Sequence, residues 1–108
     1  MKLAIFGSRT LLTPNFEEYM PEGVTEIVSG GAKGIDMAAA EYARANGIKL
    51  TEFLPDYEKY GRAAPLKRNE LIAEYADEGL AFWDGWSHGT KYTIECFRKR
   101  NKPIFIVT

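Results

Sequence analysis

Five short apolar runs, separated by stretches with helical spacing, constrain this chain more than any other feature. Leu3–Phe6 is nearly continuous in apolar residues and ends in Gly7; Glu26-Ile27-Val28-Ser29 is again followed by glycine. Lys49–Phe53, Gly79–Trp83 and Pro103–Val107 complete the set. Runs of this length without strict polar alternation are the mark of strands buried on both faces. The intervals carry the other period. Ile35–Asn46 has apolar residues at 35, 38, 39 and 42, one face of a helix, and Gly47 supplies a left-handed cap. Pro65–Tyr75 opens with a proline suited to a first helical turn and places Leu71, Ile72, Tyr75 and Ala76 together. Thr90–Arg100 turns Ile94 and Phe97 inward. Between the first two strands only a short helix fits, about Pro14–Met20. Alternation of this kind predicts an α/β, Rossmann-like three-layer fold with a parallel five-stranded sheet in the order 3-2-1-4-5.

A length of 108 residues predicts a single domain spanning 1–108. The apolar fraction of 45% is that of a globular chain. No run approaches the roughly 20 apolar residues that cross a bilayer, and the N-terminal run is too short for a signal peptide. One cysteine, Cys96, cannot form an internal disulfide, so a cytoplasmic setting is expected and Cys96 reads as a small core residue. Net charge is −1, with both signs mixed along the chain, which argues against a nucleic-acid partner. The one basic cluster, Arg98-Lys99-Arg100 with Lys102, falls at a helix end, where cations complement the dipole.

Three glycine-containing turns follow strands 1, 2 and 4, which the expected order makes neighbours. They are Gly7-Ser8-Arg9-Thr10, Ser29-Gly30-Gly31-Ala32-Lys33-Gly34 and Asp84-Gly85-Trp86-Ser87-His88-Gly89-Thr90. Glycine admits a ligand close to the backbone, and a helix start offers N–H donors to an anion such as phosphate. Lys33 and Arg9 add positive charge at the same rim. The second turn is neither a P-loop, since Lys33 precedes Gly34 and Ile35 follows, nor a dinucleotide fingerprint, since Ser29 stands in place of the first glycine. Glu52 stands at the spacing of a ribose-binding acid. Asp36, in a first helical turn, either compensates the helix dipole or accepts from a sugar hydroxyl. Arg68 and Asn69 begin a helix at this rim. The preceding loop, Pro55–Arg62, either packs on the surface or covers the site with Tyr57 or Tyr60 against a base. Trp83 is expected to pack on a helix and Trp86 to line the pocket or a partner surface. The only histidine, His88, is either a ligand contact or a solvated loop residue. It lacks a second histidine or a cysteine nearby, so no metal or cofactor is called for.

Taken together, Ile5-Phe6-Gly7-Ser8-Arg9, Val28–Asp36, Arg68-Asn69, Ala81–Gly85 and Ser87–Thr90 resemble the YspA-like branch of the SLOG superfamily. That superfamily groups the DNA-processing protein Smf/DprA with the LOG phosphoribohydrolases. The resemblance runs in order through nearly the whole chain. It implies a Rossmann-like fold, a site for a nucleotide or nucleotide-derived ligand, and a homodimer. In the LOG enzymes an Arg and a Glu cleave the N-glycosidic bond of nucleoside monophosphates. Arg68 matches that Arg, but Thr93 stands where the Glu should be, and Glu95 is rotated by about 200° around the helix. The expected role is therefore a sensor or sequestering module. The alternative is a nucleoside 5′-monophosphate N-glycosidase using Asp36 or Asp84.

Overall fold

The computed structural model describes residues 1–9 and 15–108. Five parallel strands form one sheet: β1 (Lys2–Gly7), β2 (Glu26–Ser29), β3 (Lys49–Glu52), β4 (Glu78–Phe82) and β5 (Ile104–Val107). Their order is β3-β2-β1-β4-β5. The order of the sheet reverses between β1 and β4, so the ends of these two strands make the switch point. There Leu3 pairs with Glu78 and Gly7 with Phe82.

Alternate residues of the central strands serve opposite layers. Ala4 and Phe6 face α3 (Ala64–Tyr75) and α4 (His88–Lys99), joining Ile72, Ala73, Ile94 and Phe97 in one buried cluster. Leu3 and Ile5 face α1 (Ile35–Ala45), with Ile35, Ala39 and Ala43. Cys96 is buried in the first cluster. No described helix is long and apolar enough to cross a membrane.

Three expectations about elements change. The first crossover, in its described part, holds a single 3₁₀ turn at Phe16–Glu18 instead of a helix over Pro14–Met20; Thr10 and Pro14 lie outside the described residues. Asn15 starts that turn by accepting from the Glu17 N–H at 3.3 Å, and Pro21 follows closely. Phe16 nevertheless anchors it, its ring 5.6 Å from Tyr42 and 5.5 Å from Phe82. The loop before α3 contains a helical turn, α2 (Tyr57–Tyr60), started by Asp56, whose carboxylate accepts from the Lys59 N–H at 3.1 Å. Helix α4 begins at His88, two residues early, because Ser87 caps it by accepting from the Thr90 N–H.

Two polar clusters lie away from the strand tips that carry the glycine turns. Glu26, buried at the start of β2, accepts from the hydroxyls of Tyr75 and Thr51 and pairs with Lys49 at 3.4 Å. The Tyr75 hydroxyl is the main cause of its carboxyl lying below the usual range. The basic cluster divides between two helices. Arg100 donates to the Cys96 carbonyl of α4 at 3.0 Å. Lys102 instead caps α3, donating to the carbonyls of Ala73, Glu74 and Ala76 at 2.8, 2.6 and 2.7 Å. Lys102→Met removes these charge-assisted bonds, and a loss of about 2 kcal/mol is expected. Urea unfolding measures it; an unchanged midpoint would show that the cap contributes nothing.

Candidate functional site

The C-terminal ends of β1 and β4 and the starts of α1, α3 and α4 enclose a cleft of about 340 Å³. The sequence-derived candidates Gly7, Arg9, Asp36, Arg68, Asn69, Asp84, Ser87, Gly89 and Thr90 all line it. Ser8, Gly30, Gly31, Lys33, Gly34 and Gly85 do not. Ser8 is buried behind the rim, its hydroxyl accepting from the Asp84 N–H at 3.1 Å and so tying the first turn to the third. Lys33 is exposed.

The turn after β2 is organised by its own side chains. Ser29 accepts from the Gly31 N–H at 3.3 Å, and Asp36 accepts from the Ala32 N–H at 3.2 Å. These amides are therefore already engaged by the protein. Gly34, the N-cap of α1, has φ +79° and ψ −123°, a conformation that only glycine adopts readily. Gly30 leaves room for two side chains. A Cβ there would stand 2.6 Å from Arg68 Nη1 and 3.0 Å from Asp36 Oδ2.

Arg68 is held from three sides. Its Nε donates to Asn69 Oδ1 at 2.7 Å, its Nη1 to the Gly30 carbonyl, with the Phe53 carbonyl at 3.5 Å. Asn69 thus orients the guanidinium. Burial pulls the Arg68 pKa down, Asp36 opposes this, and Arg9 lowers it further. Asp36 shows the opposite imbalance. Burial raises its carboxyl to about 6, against the Ala32 N–H and the charges of Arg68 and Arg9. Among the described residues no cation comes within ion-pair distance of it.

The turn after β4 is built on Asp84, whose Oδ1 accepts from the N–H groups of Trp86 and Ser87, both at 2.8 Å. Trp83 packs on the core beside α4 and donates to the Ser87 carbonyl at 3.0 Å. Trp86 is 84% exposed and lies outside the lining, while His88 is an exposed residue in the first turn of α4. Glu52 sits beside Arg44, 3.9 Å away. Tyr57 is 61% exposed, and neither it nor Tyr60 lines the cleft. Phe6, Ala32, Pro65, Leu66 and Thr93 line it without having been candidates for binding. Thr93 could have been found from helix spacing, since it follows Gly89 by one turn and its hydroxyl donates to the Gly89 carbonyl at 2.9 Å. No group of three potential metal ligands occurs among the described residues.

Sheet order and cleft together define a Rossmann-like domain with a polar site at its switch point. Residues 15–60 match the model of the YAcAr family, described as the YspA, cpYpsA-related SLOG family. That match covers less than half of the chain, 46 of its 108 residues. The chain is similar in structure to DNA processing protein A (DprA) from Streptococcus pneumoniae, with a TM-score of 0.76 and 22% sequence identity. The likeness covers 99% of this chain and 50% of that one, so the chain spans about half the length of that protein. At this identity the likeness shows the fold. No curated protein matches the sequence significantly.

Proposed function

We propose that the cleft binds a nucleotide or nucleotide-derived ligand, and that the protein acts as a sensor or sequestering module. The observation that carries this reading is the pair of guanidinium groups, Arg9 and Arg68, lining one cleft, where burial lowers the Arg68 pKa and the positive charge of Arg9, repelled by that of Arg68, lowers it further. An anion placed between them relieves that repulsion. The start of α4, with Gly89 and Thr90 at the lining, contributes the positive end of a helix dipole to the same space. The SLOG match supports a ligand of this class.

Nucleotides and ADP-ribose-like compounds are expected to raise the melting temperature and to give calorimetric heat. Arg68→Ala is expected to weaken that binding about tenfold, the size of one lost charge-assisted contact. A broad panel giving neither shift nor heat would remove the reading.

A second reading, a nucleoside 5′-monophosphate N-glycosidase, is favoured by one observation. Asp36 lines the cleft with a carboxyl raised to about 6, in the range of a general acid. Against it, Thr93 offers a hydroxyl, not a carboxylate, and that hydroxyl is engaged by Gly89. Chromatography of AMP and GMP after long incubation separates the two, since a binding module releases no free base.

A further inference from the structure

We infer that the Asp36 carboxylate reads the vicinal hydroxyls of a ribose, so that the cleft selects ribonucleotides over 2′-deoxyribonucleotides. The inference rests on the nucleotide-binding reading above and assigns that ligand's sugar. Asp36 lines the cleft yet is only 7% exposed. Its Oδ2 takes the Ala32 N–H, and the Gly30 N–H also supports its charge, so that the carboxylate is fixed in place with two of its roughly four lone-pair sites engaged. The neighbouring Arg68 uses Nε on Asn69 Oδ1 and Nη1 on the Gly30 carbonyl, keeps further donors for an anion, and does not pair with Asp36. The cleft therefore holds a fixed carboxylate with lone pairs to spare beside two guanidinium groups. A phosphate beside Asp36 would be repelled, whereas neutral O–H donors would complete its hydrogen bonding. One small cleft thus asks for an anion at Arg9 and Arg68 and for hydroxyl donors at Asp36. A ribose phosphate carries both on one rigid ring.

A ligand lacking one hydroxyl leaves a buried carboxylate oxygen without its partner, a loss that costs affinity steeply. Calorimetry of the full chain at pH 8 compares AMP and GMP with their 2′-deoxy forms, with inorganic phosphate as the third probe. The ribonucleotides are expected to bind at least about tenfold more tightly than the deoxy forms. In Asp36→Asn, whose amide oxygen still accepts from Ala32, the ratio is expected to fall below about threefold. Equal affinities in the parent chain would overturn the inference while leaving the nucleotide site standing, and this arm needs no variant to fold. A ratio that survives in Asp36→Asn would overturn it as well, by placing the discrimination elsewhere. Binding of none of the probes would overturn the site itself.

Discussion

Gly7→Ala is expected to lower the melting temperature by about 10 °C. The added Cβ would stand 2.5 Å from the Phe82 carbonyl oxygen, 2.8 Å from Ile35 Cγ1 and 3.0 Å from Phe82 Cβ. Two of these atoms belong to the register partner of Gly7 across the β1–β4 ladder, and the third to a fully buried side chain. Relief requires parting β1 from β4 or lifting α1. Overpacking of this kind costs about 3 kcal/mol at the upper end of its usual range. Restriction of the unfolded chain by alanine returns about 0.5 kcal/mol. At roughly 4 °C per kcal/mol for a domain this size, the net loss gives the stated shift. Scanning calorimetry reads it, and an unchanged transition would refute the steric account. Because Gly7 also lines the cleft, ligand affinity is expected to fall with stability.

Asp36→Asn is expected to act in the opposite sense and to stabilise the protein above neutrality. The native carboxyl keeps its proton up to a pH of about 6, whereas its ordinary value is 3.8. Between these values the native state binds more protons than the unfolded state, so this group makes stability fall as pH rises. Two pH units correspond to about 3 kcal/mol, an upper figure because the carboxylate can relax toward Arg68 and Arg9. The variant is therefore expected to be about 1–3 kcal/mol more stable than the parent at pH 8, with the difference vanishing near pH 3.5. Glu26 has the opposite sign: its lowered pKa stabilises above its ordinary value of 4.5, and that contribution fades on acidification. Subtracting the two unfolding curves cancels Glu26 and isolates Asp36. Parallel curves across pH 4–8 would show that the carboxyl titrates normally. A residue that weakens the fold at neutral pH while lining the cleft fits a role in binding better than one in folding.

Strand and helix positions were legible because they rest on period, and the strand order because β-α alternation implies it. Leu3–Phe6 and Glu26–Ser29 could be read as buried strands, and α1 and α3 by their apolar faces, without knowledge of any contact. The boundaries that moved did so where one side chain captures one backbone N–H, as Ser87 does for Thr90 and Asp56 for Lys59. Such caps were present in the sequence as Ser-x-x-Thr and Asp-x-x-Lys, but competed there with a reading of the same residues as loop. The rim was legible as a set of glycine turns. What was not legible is which amides the protein consumes itself. Asp36 and Ser29 close the turn after β2 on its own donors, so the groups it leaves to the cleft at that point are side chains, Asp36 and Arg68. Pairing across long sequence intervals, such as Lys102 with the end of α3, leaves no local trace at all.

The central position of β1 has a consequence for how the chain acquires its structure. On one side β1 pairs with β2, about two dozen residues on, but its other edge waits for β4, as in the pairing of Leu3 with Glu78. During synthesis the first strand to emerge thus keeps one edge unpaired until β4 docks, and β4 in turn waits for β5. A chain halted after α3 would expose one edge of β1 together with the tips that later frame the cleft. Loops of this length close slowly. Completion of the cleft is therefore a late event: its wall at the β1–β4 switch point cannot form until β4 docks.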